Sequence, residues 1–408
     1  MHTLGGSVRR VAALPAASCL TAAALVTACL VTACLVAVPT AVSVAQPAAT
    51  DATLDVGPYP TVPAAPLGAA GSPHAGAAAE GRRMADFVVG PWEFDPALIG
   101  EYENSAVVID GPETARGEFP VEVADVLAGH QLIDGFGTAR WSDDIEFQHT
   151  VLRFADPDVA AAAARDLAHA IAHRPVPAGP TVPGSIPGHP QTAAFEVPLA
   201  EDGRTATYVR AITAHGPYVL SERVTSAAGV DAAATMIATV LDRQLPLIDR
   251  FPLTPPPLLA GLPVDPSGLM ARTLPLPSDQ ITASRPGSYG THGTLHFQSN
   301  PVRSAKIFAE TAMSNAAYGS TGVYETRDAQ AAQQLSQELI AQHLVYGTEA
   351  GAVEGIPASR CTDMIDPDNG RYSSYCVATF DRYLAEAQAD TLLDAQQRTA
   401  AQYVLLTR

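Results

Sequence analysis

The amino-acid sequence predicts an α+β protein of two tandem related modules, each reading strand–helix–strand–strand–helix, with antiparallel sheets and helices packed on one face. Three observations predict it. The segments on either side of a Pro-rich stretch, Pro252 to Pro286, repeat one order of elements at an offset of roughly 165 to 172 residues. Tyr208-Val-Arg-Ala-Ile212 alternates with period two, as a half-buried strand does, whereas Met236, Val240 and Leu241 recur at helical spacing. In both halves the first helix opens on an aspartate cap just after a strand-like run.

In the first module Thr150-Val-Leu-Arg-Phe154 reads as a strand. Asp156-Pro157 supplies an N-cap and a first-turn proline, and a helix follows from Ala160 to about His173. An Ile186-Pro187 step leads to two strands, Ala206 to Thr213 and Tyr218 to Val224, and the module closes with a helix from Asp231 to Leu245. In the second module Gly322-Val-Tyr-Glu-Thr326 is the strand, Asp328 the cap and Ala329 to His343 the helix. Ile356-Pro357, strands Tyr372 to Phe380 and Tyr383 to Ala387, and a helix from Thr391 to Leu405 complete the parallel.

The chain before these modules reads as export machinery. Arg9 and Arg10 precede an apolar run from Val11 to Val38, the order of a secretory signal. The run is long enough to cross a bilayer, so an uncleaved anchor is an alternative, and the arginine pair also allows twin-arginine export. Within it Leu-Val-Thr-Ala-Cys occurs twice, ending at Cys29 and at Cys34. Small or branched apolar residues before a cysteine resemble a bacterial lipobox, which makes Cys29, with Cys34 as alternative, the expected lipidation site and the membrane a partner through that anchor. The rival is simple cleavage after Ser43-Val44-Ala45, before Gln46. The expected organisation is a signal and lipobox region over 1–45, an Ala/Pro/Gly-rich tether over 46–80, a first module with an N-terminal extension over 81–251, a Pro-rich linker over 252–286 and a second module over 287–408.

Composition narrows the function. A net charge of −18, with Lys306 the only lysine, repels phosphate backbones and excludes nucleic-acid binding. With three cysteines in the signal, Cys361 and Cys376 are left to the mature chain, and in an exported protein they read as one disulfide. The turn-forming Asp366-Pro-Asp368-Asn369-Gly370 between them suits a stapled hairpin.

Leu54-Asp-Val-Gly-Pro-Tyr-Pro60, Glu80-Gly-Arg-Arg-Met-Ala85, Phe94-Asp-Pro96, Ile186-Pro-Gly-His-Pro190, Thr213-Ala-His-Gly216, Pro263-Val-Asp-Pro266 and Ala401-Gln-Tyr403 together resemble a family of lipoproteins of mycobacteria and related actinobacteria, catalogued as a domain of unknown function. The resemblance spans nearly the whole mature chain. It implies a surface-anchored envelope protein and carries over no catalytic residue. The doubled Leu-Val-Thr-Ala-Cys departs from the family's single lipobox cysteine.

Candidate sites reduce to plain structure on inspection. His169 and His173 share a helix face, as a metal pair would, but they sit in a last turn where histidine suits the helix dipole. Asp143, Asp144, Glu146 and His149 cluster before the first repeat strand, and a polar turn leading into an edge strand accounts for them. Gly290 and Gly293 around His292 and His296 argue for a turn or strand, where that spacing brings no convergence. The Asp366–Gly370 segment lacks the ligands of a calcium loop. No cofactor or metal is expected. The leading expectation is a non-catalytic envelope lipoprotein that binds a ligand or partner in the groove between the modules. One alternative is a secreted hydrolase with a scattered site beside His149, His215 or His292, and another is a structural adaptor with an exposed apolar patch.

Overall fold

The computed structural model describes residues 54–102, 104–201, 204–277, 286–365 and 370–408. The signal with Cys29 and Cys34, and the Asp366–Asn369 part of the turn, lie outside the described residues.

A helix α1 (Pro73–Met84) leads into the first module. There follow β1 (Ala106–Ile109), α2 (Pro112–Glu118), α3 (Val121–Gly129), β2 (Asp134–Trp141), β3 (Ile145–Arg153), α4 (Pro157–His173), β4 (Val182–Gly184), β5 (Ala193–Glu201), β6 (Arg204–His215), β7 (Tyr218–Ser226) and α5 (Val230–Ile248). The strands form one antiparallel sheet in the order β1-β2-β3-β7-β6-β5-β4. The second module runs β8 (Gly287–Gly290), α6 (Thr291–Leu295), α7 (Pro301–Thr311), β9 (Asn315–Tyr318), β10 (Gly322–Glu325), α8 (Ala329–His343), β11 (Thr348–Ala350), β12 (Arg360–Ile365), β13 (Tyr372–Phe380), β14 (Tyr383–Ala389) and α9 (Leu392–Thr407). Its sheet is ordered β8-β9-β10-β14-β13-β12-β11, strand for strand the order of the first.

Register aligns the repeats. Arg153 pairs with Tyr218 where β3 meets β7, and Glu325 pairs with Tyr383 where β10 meets β14. The backbone N–H of Phe154 then donates to Pro217 O, as that of Thr326 does to Arg382 O. The two caps also match: Asp156 accepts from Val159 N at 2.9 Å and Asp328 from Ala331 N at 2.8 Å. Each satisfies an orphan N–H of a first helical turn. Ile186 and Ile356 are both buried at the turn after the short strand that follows the helix.

The α+β class and the two tandem antiparallel modules expected from sequence are found, but the expectation of helices on one face is corrected: they cover both faces of each sheet. Period-two alternation explains why. On β3, Leu152 joins the cluster of Leu167 and Ile171 from α4, whereas its neighbour Val151 joins Ile237 and Leu241 from α5. On β13, Tyr375 and Val377 meet Ile340 of α8, while Cys376 and Ala378 meet Ala395 and Ala400 of α9. The core containing Phe136, Val151 and Ile237 continues without a break into Tyr289, Phe308, Tyr324 and Leu335 of the second module.

The Ala/Pro/Gly-rich segment expected to be a free tether is instead bound to the body from Leu54 onward. Leu54 and Val56 pack against the α9 cluster. Tyr59 donates to Asp394 and accepts from Arg398 Nε at 3.0 Å. Small residues are needed in α1 because it lies on backbone: a Cβ at Gly76 would fall 2.2 Å from Leu259 O, and one at Gly81 would fall 2.9 Å from Gly135 O. The Pro-rich stretch is likewise held down by Leu259, Leu269 and Leu274, all buried. Cys361 and Cys376 are cross-strand partners on β12 and β13 and form the expected disulfide.

Candidate functional site

Between the modules, over the α8 face of the second sheet, lies a cleft of about 910 Å³. Strand register builds its floor. Tyr318, Gly322, Glu386 and Val377 form one row across β9, β10, β14 and β13, and Tyr324 and Tyr375 lie two residues along the same face. Gly322 leaves the row open in the middle, since a Cβ there would sit 2.6 Å from Glu386 Oε1. The Glu386 side chain fills this space.

Hydroxyls and amides fix that carboxylate. Tyr324 OH donates to Glu386 Oε1 at 2.9 Å and Tyr375 OH donates to Oε2 at 2.9 Å. Tyr318 OH donates to Tyr324 OH at 3.1 Å, and Gln298 Nε2 donates to both phenols, at 3.2 and 3.1 Å. Ser304 Oγ donates to Gln298 Oε1 at 3.2 Å, which orients the amide. Such a closed network rigidifies the floor.

The α8 wall carries Leu339, Gln342 and His343, continued by Val345 and Tyr346. His343 stacks face to face on Tyr375, centroids 3.7 Å apart, and burial pushes its imidazole down to about 4, so it is neutral near pH 7. Tyr346 stands 71% exposed at the rim. The opposite wall comes from the first module: Ile99, Glu101, Trp141, and Asp143 and Asp144 of the β2–β3 turn. Trp141 Nε1 donates to Glu101 O at 2.9 Å, and Glu101 pairs with Arg140 at 3.2 Å. Arg140 also crosses the module boundary, donating to His296 O and Gln298 O, each at 2.9 Å.

The sequence-marked residues are dispersed. Asp143 and Asp144 reach the cleft rim, but Glu146 points to Arg223, 3.8 Å away, and His149 is fully buried. The expectation of an edge strand is corrected here: β3 is central, paired with β2 and β7, which takes His149 into the interior. There it contacts Glu222 at 3.1 Å and Gln244 at 3.0 Å. His215 pairs with Asp249 on the surface. His169 and His173 stack at the end of α4, centroids 4.0 Å apart. His292 lies on the short helix α6 rather than in a turn or strand, because Asp86 accepts from Gly293 N at 2.7 Å and caps the helix, while His296 follows as its C-cap in a turn. His292 binds Glu93 at 2.9 Å, and His296 is fixed between Thr138 and Val88 O. None of His149, His215 and His292 lines the cleft. Among the described residues no group of three or more His, Cys, Asp or Glu could hold a metal ion.

Sequence reasoning missed Tyr318, Tyr324, Tyr375 and Glu386. Tyrosine in a strand reads as core, and only the sheet order brings the four together.

No curated protein matches the chain. Among solved structures it is similar to the extracellular domain of PknH from Mycobacterium tuberculosis, at 14% identity and a TM-score of 0.29, covering 40% of this chain and 95% of that one. A TM-score that low bears on neither fold nor function. Two family models do match, the N-terminal domain of DUF7373 over residues 67–264 and its C-terminal domain over residues 269–408, and their junction separates the two sheets. The chain therefore belongs to the DUF7373 family, whose domains are described as of unknown function.

Proposed function

We propose that this is an exported cell-envelope protein that binds a small ligand, without turning it over, in the cleft between its two modules. The carrying observation is the floor: a carboxylate held by two phenols inside a concave, aromatic-lined space shared by both modules, the usual setting of a small-molecule site. Binding without turnover is favoured because His149, His215 and His292, the bases a scattered hydrolase site would use, are committed elsewhere.

Export is supported by the Cys361–Cys376 disulfide, which belongs to an oxidising compartment. Anchoring through lipid on Cys29, or alternatively Cys34, is part of the proposal, as is the membrane as a partner. Among the described residues no helix is long and apolar enough to cross a membrane. Intact mass spectrometry of the chain from a membrane fraction checks the anchor. A mature chain starting at Cys29 with added acyl mass supports it, and one starting at Gln46 without lipid removes it.

The cleft itself is tested with the neutral dye N-phenylnaphthylamine. Its fluorescence should rise saturably with the wild-type chain and lose about tenfold in affinity with Ser299→Trp, which places an indole in the cleft from an exposed position. Dye binding that Ser299→Trp leaves unchanged would sink the cleft as the site.

A further inference from the structure

Charge, ring placement and polar chemistry in the cleft together narrow what it can hold; this step rests on the cleft being the binding site. Of the lining residues Glu101, Asp143, Asp144 and Glu386 are acidic and Arg303 basic, and Arg303 is itself paired with Glu338 at 2.7 Å. On a chain of net charge −18 this field repels phosphates, carboxylates and anionic headgroups. A cation is a poor match too. Glu386 on the floor is already held by two phenols and the exposed Glu101 is paired with Arg140, which leaves the attraction to acids at the rim in high dielectric. A ligand without any polar group, lacking even the single N–H of the dye, would strip water from the phenol–carboxylate floor without replacing its hydrogen bonds.

What remains is a neutral ligand rich in hydroxyls with apolar ring faces. The cleft offers the complement of both. Glu386 is an acceptor whose orientation is fixed before any ligand arrives, and Gln342 and Gln388 line the same space. Tyr346, 71% exposed beyond the end of α8, presents a ring on which the C–H face of a sugar can stack while its hydroxyls stay in reach of the polar floor. A volume of about 910 Å³ is near the upper end of small-molecule sites, room for several rings in line. We infer that the cleft binds a neutral oligosaccharide, stacked on Tyr346 at the rim and hydrogen-bonded to Glu386 at the floor.

Isothermal titration calorimetry of the mature chain with neutral gluco-, manno-, galacto- and N-acetylglucosaminyl tetraoses tests this, with benzyltrimethylammonium and inorganic phosphate run alongside. The expected result is millimolar or tighter binding of at least one tetraose, no saturable binding of the ammonium or of phosphate, and displacement of N-phenylnaphthylamine by the same tetraose. Tyr346→Ala should weaken the tetraose about tenfold and Tyr346→Trp should retain it. Because Tyr346 is exposed, neither substitution disturbs the core, and circular dichroism of each variant verifies the fold. If the dye binds but no tetraose binds or displaces it, the saccharide class is wrong and the cleft reading stands. If a tetraose binds equally well to Tyr346→Ala and to Ser299→Trp, the sugar sits elsewhere and the inference is overturned. A dye insensitive to Ser299→Trp overturns both readings.

Discussion

Asp134, wholly buried beside Arg153 and Glu80, has its carboxyl pushed up to about 7 by burial, with Arg153 opposing and Glu80 adding to the rise. From the free value of 3.8 up to about 7 the folded chain holds more protons at this site than the unfolded chain, so this group costs stability progressively as pH rises through that window. Asp134→Asn removes the ionisation. Its melting temperature relative to wild type should therefore improve between about pH 4 and pH 8, and a difference that does not change with pH would contradict the assignment. His292 works in the same direction. Burial alone would lower its imidazole, but the hydrogen bond and charge of Glu93, with Asp86, hold it above 6.5. Its contribution is complete below pH 6.5 and is lost as pH rises through the raised folded value. His292→Gln should thus cost more at about pH 6 than at about pH 8.5, measured by scanning fluorimetry. Glu93 gives the acid-side counterpart. Burial would raise it, yet His292 brings it below 4.5, so its contribution is present above that pH and lost as pH falls.

Single elements depend on local devices that can be removed one at a time. Asp328→Ala leaves the first turn of α8 without its side-chain cap and should lower the midpoint of urea unfolding. Replacing Cys361 and Cys376 by serine opens a closure with a sequence separation of 15, for which about 3 kcal/mol is expected, and reduction of the wild type should reproduce the loss. Both devices were legible in the sequence, as were α4, α8, α5, α9 and the strand pairs β6–β7 and β13–β14. The elements that escaped share a physical cause. β4 is Val182-Pro-Gly184 and β8 is Gly287-Ser-Tyr-Gly290, and such residues read as turns until a neighbouring strand pairs with them. β2 carries Gly135 and Gly137, and a Cβ at Gly135 would fall 2.5 Å from Val151 O of the neighbouring β3. The Ala/Pro/Gly-rich segment before the first module hides its attachment in the same way. Its small residues mark contact with backbone, and its few large ones, Leu54 and Tyr59, are the groups that hold it to the second module. The cleft was legible only as a location between the modules, because its floor is a row across four strands that are not all consecutive.

At the scale of the whole molecule the two modules form one cooperative body. Their common core, the Arg140 bonds to His296 and Gln298, and α1 with its preceding strap all cross the boundary. Glu80 of α1 joins Arg153 of the first sheet to the backbone of Thr254. Calorimetry should therefore show one unfolding transition, and two resolved transitions would mean that the modules are independent. The walls of the cleft belong to different modules, and the shared core and the Arg140 bonds join those modules behind it. Hydrogen–deuterium exchange of the mature chain, with and without a ligand that binds it, tests that shared construction most directly. Protection should appear together on both walls, at residues 99–101 and 141–144 of the first module and at 342–346 of the second. Protection confined to one module, or appearing away from these segments, would contradict a ligand site built between the two.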